Sequence, residues 1–129
     1  MQNGHHVQAP QPTSAAQGHL GEEEACGYLT SLGYRIIKRN FHYGKIGEID
    51  IIAMDGEQLV FVEVKARSSY DRGKPEDFVD VRKQRQLKRV AEGYYHINKL
   101  TDQACRFDVV GVDLVASKPE IRHIKTAFY

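Results

Sequence analysis

GEIDIIAMDGEQLVFVEVKAR, residues 47–67, decides how the rest of the chain must fold. Two runs of alternating apolar and polar residues flank Asp55-Gly56, a dipeptide that signals a hairpin because both turn positions tolerate positive φ. A two-residue loop there sets Met54 opposite Glu57, Ile52 opposite Leu59, Asp50 opposite Phe61 and Glu48 opposite Glu63. Opposed residues share a face and successive ones alternate. One face then holds Ile49, Ile51, Ala53, Val60, Val62 and Val64. The other holds Ile52, Leu59 and Phe61 near the turn, with Glu48, Asp50, Glu63 and Lys65 at its open end.

Acids gathered at one end of one face oppose sheet pairing, since like charges directly opposite destabilise it. Asp50 and Glu63 fall on the diagonal, near enough for their carboxylates to converge on one ion. A divalent cation turns that repulsion into coordination, and an all-oxygen donor set favours a hard ion such as Mg²⁺ or Mn²⁺. The plainer reading is a half-exposed hairpin with a charged solvent face. An odd-length loop would move Asp50 among the core valines and remove the site.

The chain has 129 residues, of which 41% are hydrophobic and 27% charged, enough for one domain with a real core. Its formal net charge of +1 gives no general basic field, so any nucleic acid must be met by a local patch. Cys26 and Cys105 are widely separated and read as free thiols of a reducing compartment, and no stretch has the apolar length of a membrane span. A cytoplasmic location is expected, with no membrane partner.

Residues 1–18 are rich in Gln, Pro, Ser, Ala and Gly and read as a disordered tail, leaving 19–129 as a single domain. From His19 the spacing of Leu20, Ala25, Tyr28, Leu29 and Leu32 predicts a helix ending at Gly33. Glu22 can share its inward face. A first strand starts at Tyr34 and gives way to a polar connector over 39–45. After the hairpin, a Gly/Pro-containing loop over 68–76 carries Arg72 and Lys74 beside Arg67. Asp80 to Ile97 then predicts a helix with Val81, Leu87, Val90, Ala91, Tyr94 and Tyr95 on one side and Arg82, Lys83, Arg85, Lys88 and Arg89 over much of the rest. Strands follow at 106–115 and 121–128. Asp108 and Asp113 differ by an odd number, face opposite ways, and are not both assigned to a site. The element order predicts an α/β domain with a mixed sheet between helices. A helix is expected over the valine face, with the first helix across the carboxylate face, bringing Glu22 towards Asp50.

Asp50 followed by Glu63-Val64-Lys65 resembles the Asp…(Asp/Glu)-x-Lys pattern of the PD-(D/E)XK nuclease superfamily, although Ile49 stands where that name implies Pro. More closely, the chain resembles the bacterial YraN family of predicted endonucleases, similar in fold to archaeal Holliday-junction resolvases. The likeness rests on Gly21-Glu22-x-x-Ala25, Tyr28-Leu29, Gly33-Tyr34, Asn40, Gly47-Glu48-Ile49-Asp50, Phe61-Val62-Glu63-Val64-Lys65-x-Arg67, Lys83, Arg106-Phe107-Asp108, His123-Ile124 and Ala127-Phe128. It implies a restriction-endonuclease-like three-layer α/β/α fold with a central mixed sheet. It also implies that Asp50, Glu63 and Glu22 ligate Mg²⁺ or Mn²⁺ together with the Val64 carbonyl, with Glu48 near a second ion. Lys65 would orient or deprotonate the attacking water, completing a catalytic set of Asp50, Glu63, Lys65 and Glu22. Arg67, Lys83, Arg85 and Arg89 would hold the nucleic-acid backbone.

The resemblance therefore leads to a metal-dependent endonuclease acting on phosphodiesters, DNA rather than RNA, with a homodimer left open. Two other readings keep the same residues. One is a catalytically silent accessory module of the same fold that binds nucleic acid, and the other is a protein-interaction domain docking through the hairpin or the tyrosine-bearing helix.

Overall fold

A sheet with two apolar faces calls for two covering layers, and each face receives one helix. The computed structural model describes residues 14–67, 79–114 and 118–129. They form α1 (Ser14–Ser31), β1 (Arg35–Tyr43), β2 (Gly47–Asp55), β3 (Gln58–Arg67), α2 (Val81–Ile97), β4 (Cys105–Asp113) and β5 (Glu120–Phe128). The strands make one five-stranded sheet in the order β1-β2-β3-β4-β5. Pairing is antiparallel except between β3 and β4, which run parallel and are joined through α2. That crossover makes the sheet mixed.

The hairpin forms where expected but its register differs by two residues. Asp55 pairs with Gln58, Met54 with Leu59 and Ile52 with Phe61, so the turn residues are Gly56 and Glu57. Gly56 takes φ +61 while Glu57 keeps an ordinary negative value, the pattern of a turn that wants glycine first. A slip of two leaves the side chains from Ile51 to Val64 on their expected faces, whereas Ile49 packs on the opposite one. One further step along this register brings Asp50 level with Glu63 rather than Phe61, so the two acids are brought closer than on the expected diagonal.

Helix α1 covers the valine face. Ala25 and Leu29 pack on Ile51, Ala53, Val60, Val62, Val110 and Val112. Helix α2 covers the other, with Leu87, Val90 and Ala91 against Ile52, Leu59, Phe61 and Phe107. The expected placement of α1 across the carboxylate face is thus corrected: small and branched residues on α1 fit the wholly apolar face, while the strongly amphipathic α2 lays its one apolar side beside the acids. Three layers result.

Boundaries moved where polar residues sit within regular elements. β1 continues through Arg39 to Tyr43, most of the expected polar connector. α1 begins at Ser14, so the last five residues of the expected tail are helical; residues 1–13, the expected loop over 68–76 with Arg72 and Lys74, and Val115 at the end of an expected strand lie outside the described residues. α2 starts after Asp80, whose carboxylate accepts from the Lys83 backbone N–H at 2.8 Å and so caps the helix. Cys26 and Cys105 are free thiols. No described helix is long and apolar enough to cross a membrane.

Candidate metal centre

The site begins with a change of face shared by two strands. Arg39 pairs with Ile51 and Phe41 with Ile49, leaving Asn40 and Asp50 between these pairs. Ile51 packs under α1, yet Ile49, two residues away, packs under α2. On β1, Arg39 likewise meets the acids of α1 while Phe41 meets Tyr94 of α2. Regular alternation therefore slips at Asn40 and Asp50. Asn40 absorbs the slip with φ +53, a left-handed conformation that asparagine enters more readily than most residues.

Freed from the regular ladder, Asp50 turns its carboxylate to β3, where Oδ2 accepts from the Val64 N–H at 2.8 Å. Its carboxyl hydrogen-bonds that of Glu63. Burial, then the adjoining Glu63 carboxyl, push Asp50 from 3.8 up to about 8, with Glu22 adding to the push and the Val64 N–H opposing it. The charged form of Asp50 is thus disfavoured. Glu63 is 5% exposed, and two ammonium groups face its Oε2: Lys65 Nζ at 3.4 Å and Lys83 Nζ at 3.6 Å. Lys65 was expected at this point from its place two residues after Glu63. Lys83 was expected only along the nucleic-acid backbone, and the turn of α2 that Asp80 caps delivers it here.

Glu22 approaches from α1. Its neighbour Gly21 lies so close to β3 that a Cβ there would fall 2.5 Å from the Ala66 Cβ. Only glycine permits this contact. Glu22 acts on the charge of Asp50, and its Oε1 lies 3.8 Å from Arg39 Nη2, whose Nη1 hydrogen-bonds Glu23. Glu48 turns away to pair with His42 Nε2 at 3.0 Å, on the strand pair β1–β2. Among the described residues no three His, Cys, Asp or Glu side chains lie together in a metal-binding group. Asp50 and Glu63 form the centre, Glu22 stands beside it, and Glu48 stands apart.

Beside this centre α2 forms one wall of an open depression of ≈ 580 Å³, lined by Arg82, Lys83, Arg85 and Arg89 together with Ile46, Asp80 and Gln86. The one acid in the lining is engaged in the helix cap. Arg85 and Arg89, both expected along the nucleic-acid backbone, are exposed. Arg67, expected in the same role, lies at the end of β3 with Nη2 3.6 Å from Asp113 Oδ2.

A second polar cluster lies under α1, and the sequence pattern gave no sign of it. Asp108 is fully buried and accepts from Arg106 Nε at 3.0 Å, His123 Nε2 at 2.7 Å and the Thr126 N–H at 3.0 Å. With Nε2–H donating to Asp108, the His123 Nδ1 accepts from the Tyr28 hydroxyl at 3.1 Å. Arg106 reaches on to Asp55, Gln58 and the Tyr34 hydroxyl. Burial raises the Asp108 carboxyl, but the bonds from His123, Arg106 and Thr126 together outweigh it and hold the group below its ordinary value. The cluster ties α1, β2, β3, β4 and β5 together.

Asp50, Glu63 and most residues of the second cluster, though not His123 and Thr126, lie within one family match. A model described as "Uncharacterised protein family UPF0102" matches residues 21–112, from the Gly21 contact through β4. The chain belongs to UPF0102. A UPF0102 protein of Desulforamulus reducens is 47% identical over 116 residues, covering 87% of this chain and 94% of its own length. One of Lachnoclostridium phytofermentans is 44% identical, with 87% and 92% covered, and one of Chlorobium chlorochromatii is 43% identical, with 93% and 96% covered. This UPF0102 chain spans nearly the full length of these relatives.

Proposed function

We propose that this UPF0102 protein is a divalent-cation-dependent endonuclease of the restriction-endonuclease-like, PD-(D/E)XK kind, hydrolysing phosphodiester bonds in nucleic acid, with DNA favoured over RNA. The observation that carries the reading is the Asp50–Glu63 pair. Two carboxyls side by side, Glu63 buried and Asp50 half-buried, each disfavouring the other's charge, are costly unless a cation is to be held between them. Their donor set is oxygen alone, which suits Mg²⁺ or Mn²⁺, and the fit extends to the Val64 carbonyl and to Glu22 nearby. A cation bound there would supply Lewis acidity for activating water and neutralising charge at phosphorus.

The chain's own groups take the remaining roles. Asp50 is fixed through Oδ2 by the Val64 N–H. Lys65, on the same side of β3 as Glu63, is the group that orients the attacking water or stabilises developing negative charge. Arg85, Arg89 and Lys83, with Arg67 at the end of β3, hold the phosphate backbone and set its register without reading bases. Glu48, paired with His42, enters only if a second ion is bound.

The test is cleavage of a panel of single-stranded, duplex and branched DNA and RNA with Mg²⁺ or Mn²⁺. Wild type is expected to cut at least one substrate, and Asp50→Asn and Lys65→Ala each to lower that rate by about a hundredfold or more. Reproducible cutting that neither variant lowers refutes the assignment. Salt-sensitive binding without cleavage under either metal leaves the silent accessory module as the reading.

A further inference from the structure

We infer that Lys83 is a displaceable counter-ion of the metal centre, coupling occupation of the basic depression on α2 to cation binding at Asp50 and Glu63. The inference rests on the proposed function and deepens it. Two ammonium groups share one oxygen of a nearly buried carboxylate, at 3.4 and 3.6 Å. Lys65 arises from the strand that carries Glu63, so its place beside that side chain is set by the pleat. Lys83 comes from another element, is about one-third exposed, and also lines the depression with Arg82, Arg85 and Arg89. Among the described residues it is the one side chain shared by the centre and the groove.

The electrostatics set a direction. A cation entering beside Glu63 meets the Lys83 charge and must repel or displace it. In the free protein the ammonium therefore compensates Glu63 and weakens metal binding. A phosphodiester in the depression offers Lys83 another anionic partner, and turning towards it clears the carboxylate oxygen. Nucleic acid then tightens metal binding, and by linkage the cation tightens nucleic-acid binding by the same factor. Lys83 acts through Glu63 and is a positioning residue.

The experiment is calorimetric titration of Mn²⁺ into the full chain, alone and with a non-cleavable phosphorothioate oligonucleotide, for wild type, Lys83→Gln and Lys83→Arg. Without oligonucleotide, Lys83→Gln is expected to bind Mn²⁺ roughly threefold or more tightly than wild type, the scale of one partly exposed charge pair. The tightening caused by oligonucleotide is expected to be smaller in Lys83→Gln than in wild type. Lys83→Arg keeps the charge and should behave as wild type, which separates this role from a folding defect. Equal Mn²⁺ affinity in wild type and Lys83→Gln, with equal tightening by oligonucleotide, overturns the inference while leaving a metal site that needs Asp50 and Glu63 intact. No Mn²⁺ binding by wild type overturns both.

Discussion

Asn40 and Asp50 lie across from each other on β1 and β2, and both strands change face at that point. The left-handed φ of Asn40 makes the change, and the change frees the Asp50 carboxylate from the regular pleat. Placing a β-branched residue in this conformation costs on the order of 1–2 kcal/mol. Asn40→Gly is therefore expected to keep both stability and Mn²⁺ binding. Asn40→Val should lose about that much stability and weaken the metal site. Urea denaturation beside Mn²⁺ titration checks both, and an Asn40→Val protein that binds Mn²⁺ as wild type does removes the link between strand geometry and site.

The raised Asp50 gives the metal-free protein a definite pH profile. A carboxyl whose value is 3.8 unfolded and about 8 folded stabilises the fold fully below pH 4. That contribution is lost as pH rises to about 8. In chelator, stability is expected to fall by a few kcal/mol between pH 5 and pH 9, and Asp50→Asn should flatten the trend and be the more stable protein at pH 9. Urea midpoints at the two pH values measure it. A wild-type and a variant profile that run parallel would show that Asp50 is not protonated in the native state.

Asp108 works in the opposite sense. Its value is lowered on folding, so the stability it contributes is present above pH 4 and lost as pH falls further, through the folded value. Asp108→Asn leaves Arg106 with Asp55 as its remaining charged partner and weakens the bonds from His123 and Thr126; it is expected to cost about 1–3 kcal/mol, seen as a lower melting temperature. The Thr126 N–H that Asp108 binds belongs to a β-branched residue at φ +50, in a bulge between the pairs Phe107–Phe128 and Val109–Ile124. Thr126→Gly should therefore be neutral or stabilising, whereas an ordinary strand threonine would be weakened by glycine.

Gly93 tests the packing of α2. In an open helix, glycine to alanine gains about 1 kcal/mol. Here an added Cβ would fall 2.4 Å from Tyr43 Cγ, inside the ring that packs against the helix. Gly93→Ala is expected to destabilise by about 1–3 kcal/mol, and Tyr43→Ala should reduce the penalty in the double variant. A stabilised Gly93→Ala protein would mean that the ring moves aside freely.

How much of this could be read from the residues follows from parity. The faces of the hairpin were legible because alternation has period two and the true turn differs from the Asp55-Gly56 loop by an even step. The turn position itself was not, since Asp-Gly and Gly-Glu are both acceptable two-residue turns here. Alternation also assumes an unbroken pleat, so the slip at Asn40 and Asp50, and with it the departure of Glu48 towards His42, had no signal in the pattern. Lys83 was visible as one cation among several on α2, but its distance to Glu63 depends on how far the helix sits over β3. The role of Asp108 did not show in its apolar strand, because His123 and Thr126 reach it from β5 and Tyr28 is tied in only through His123.

The central claim is that Asp50 and Glu63 together hold one divalent cation. Calorimetric titration of Mn²⁺ at pH 7, repeated in two buffers of different ionisation enthalpy, tests it most directly. The account predicts one specific site, lost in both Asp50→Asn and Glu63→Gln, with release of about one proton per cation as Asp50 ionises. Mn²⁺ binding that survives both substitutions, or that releases no proton at pH 7, would contradict it.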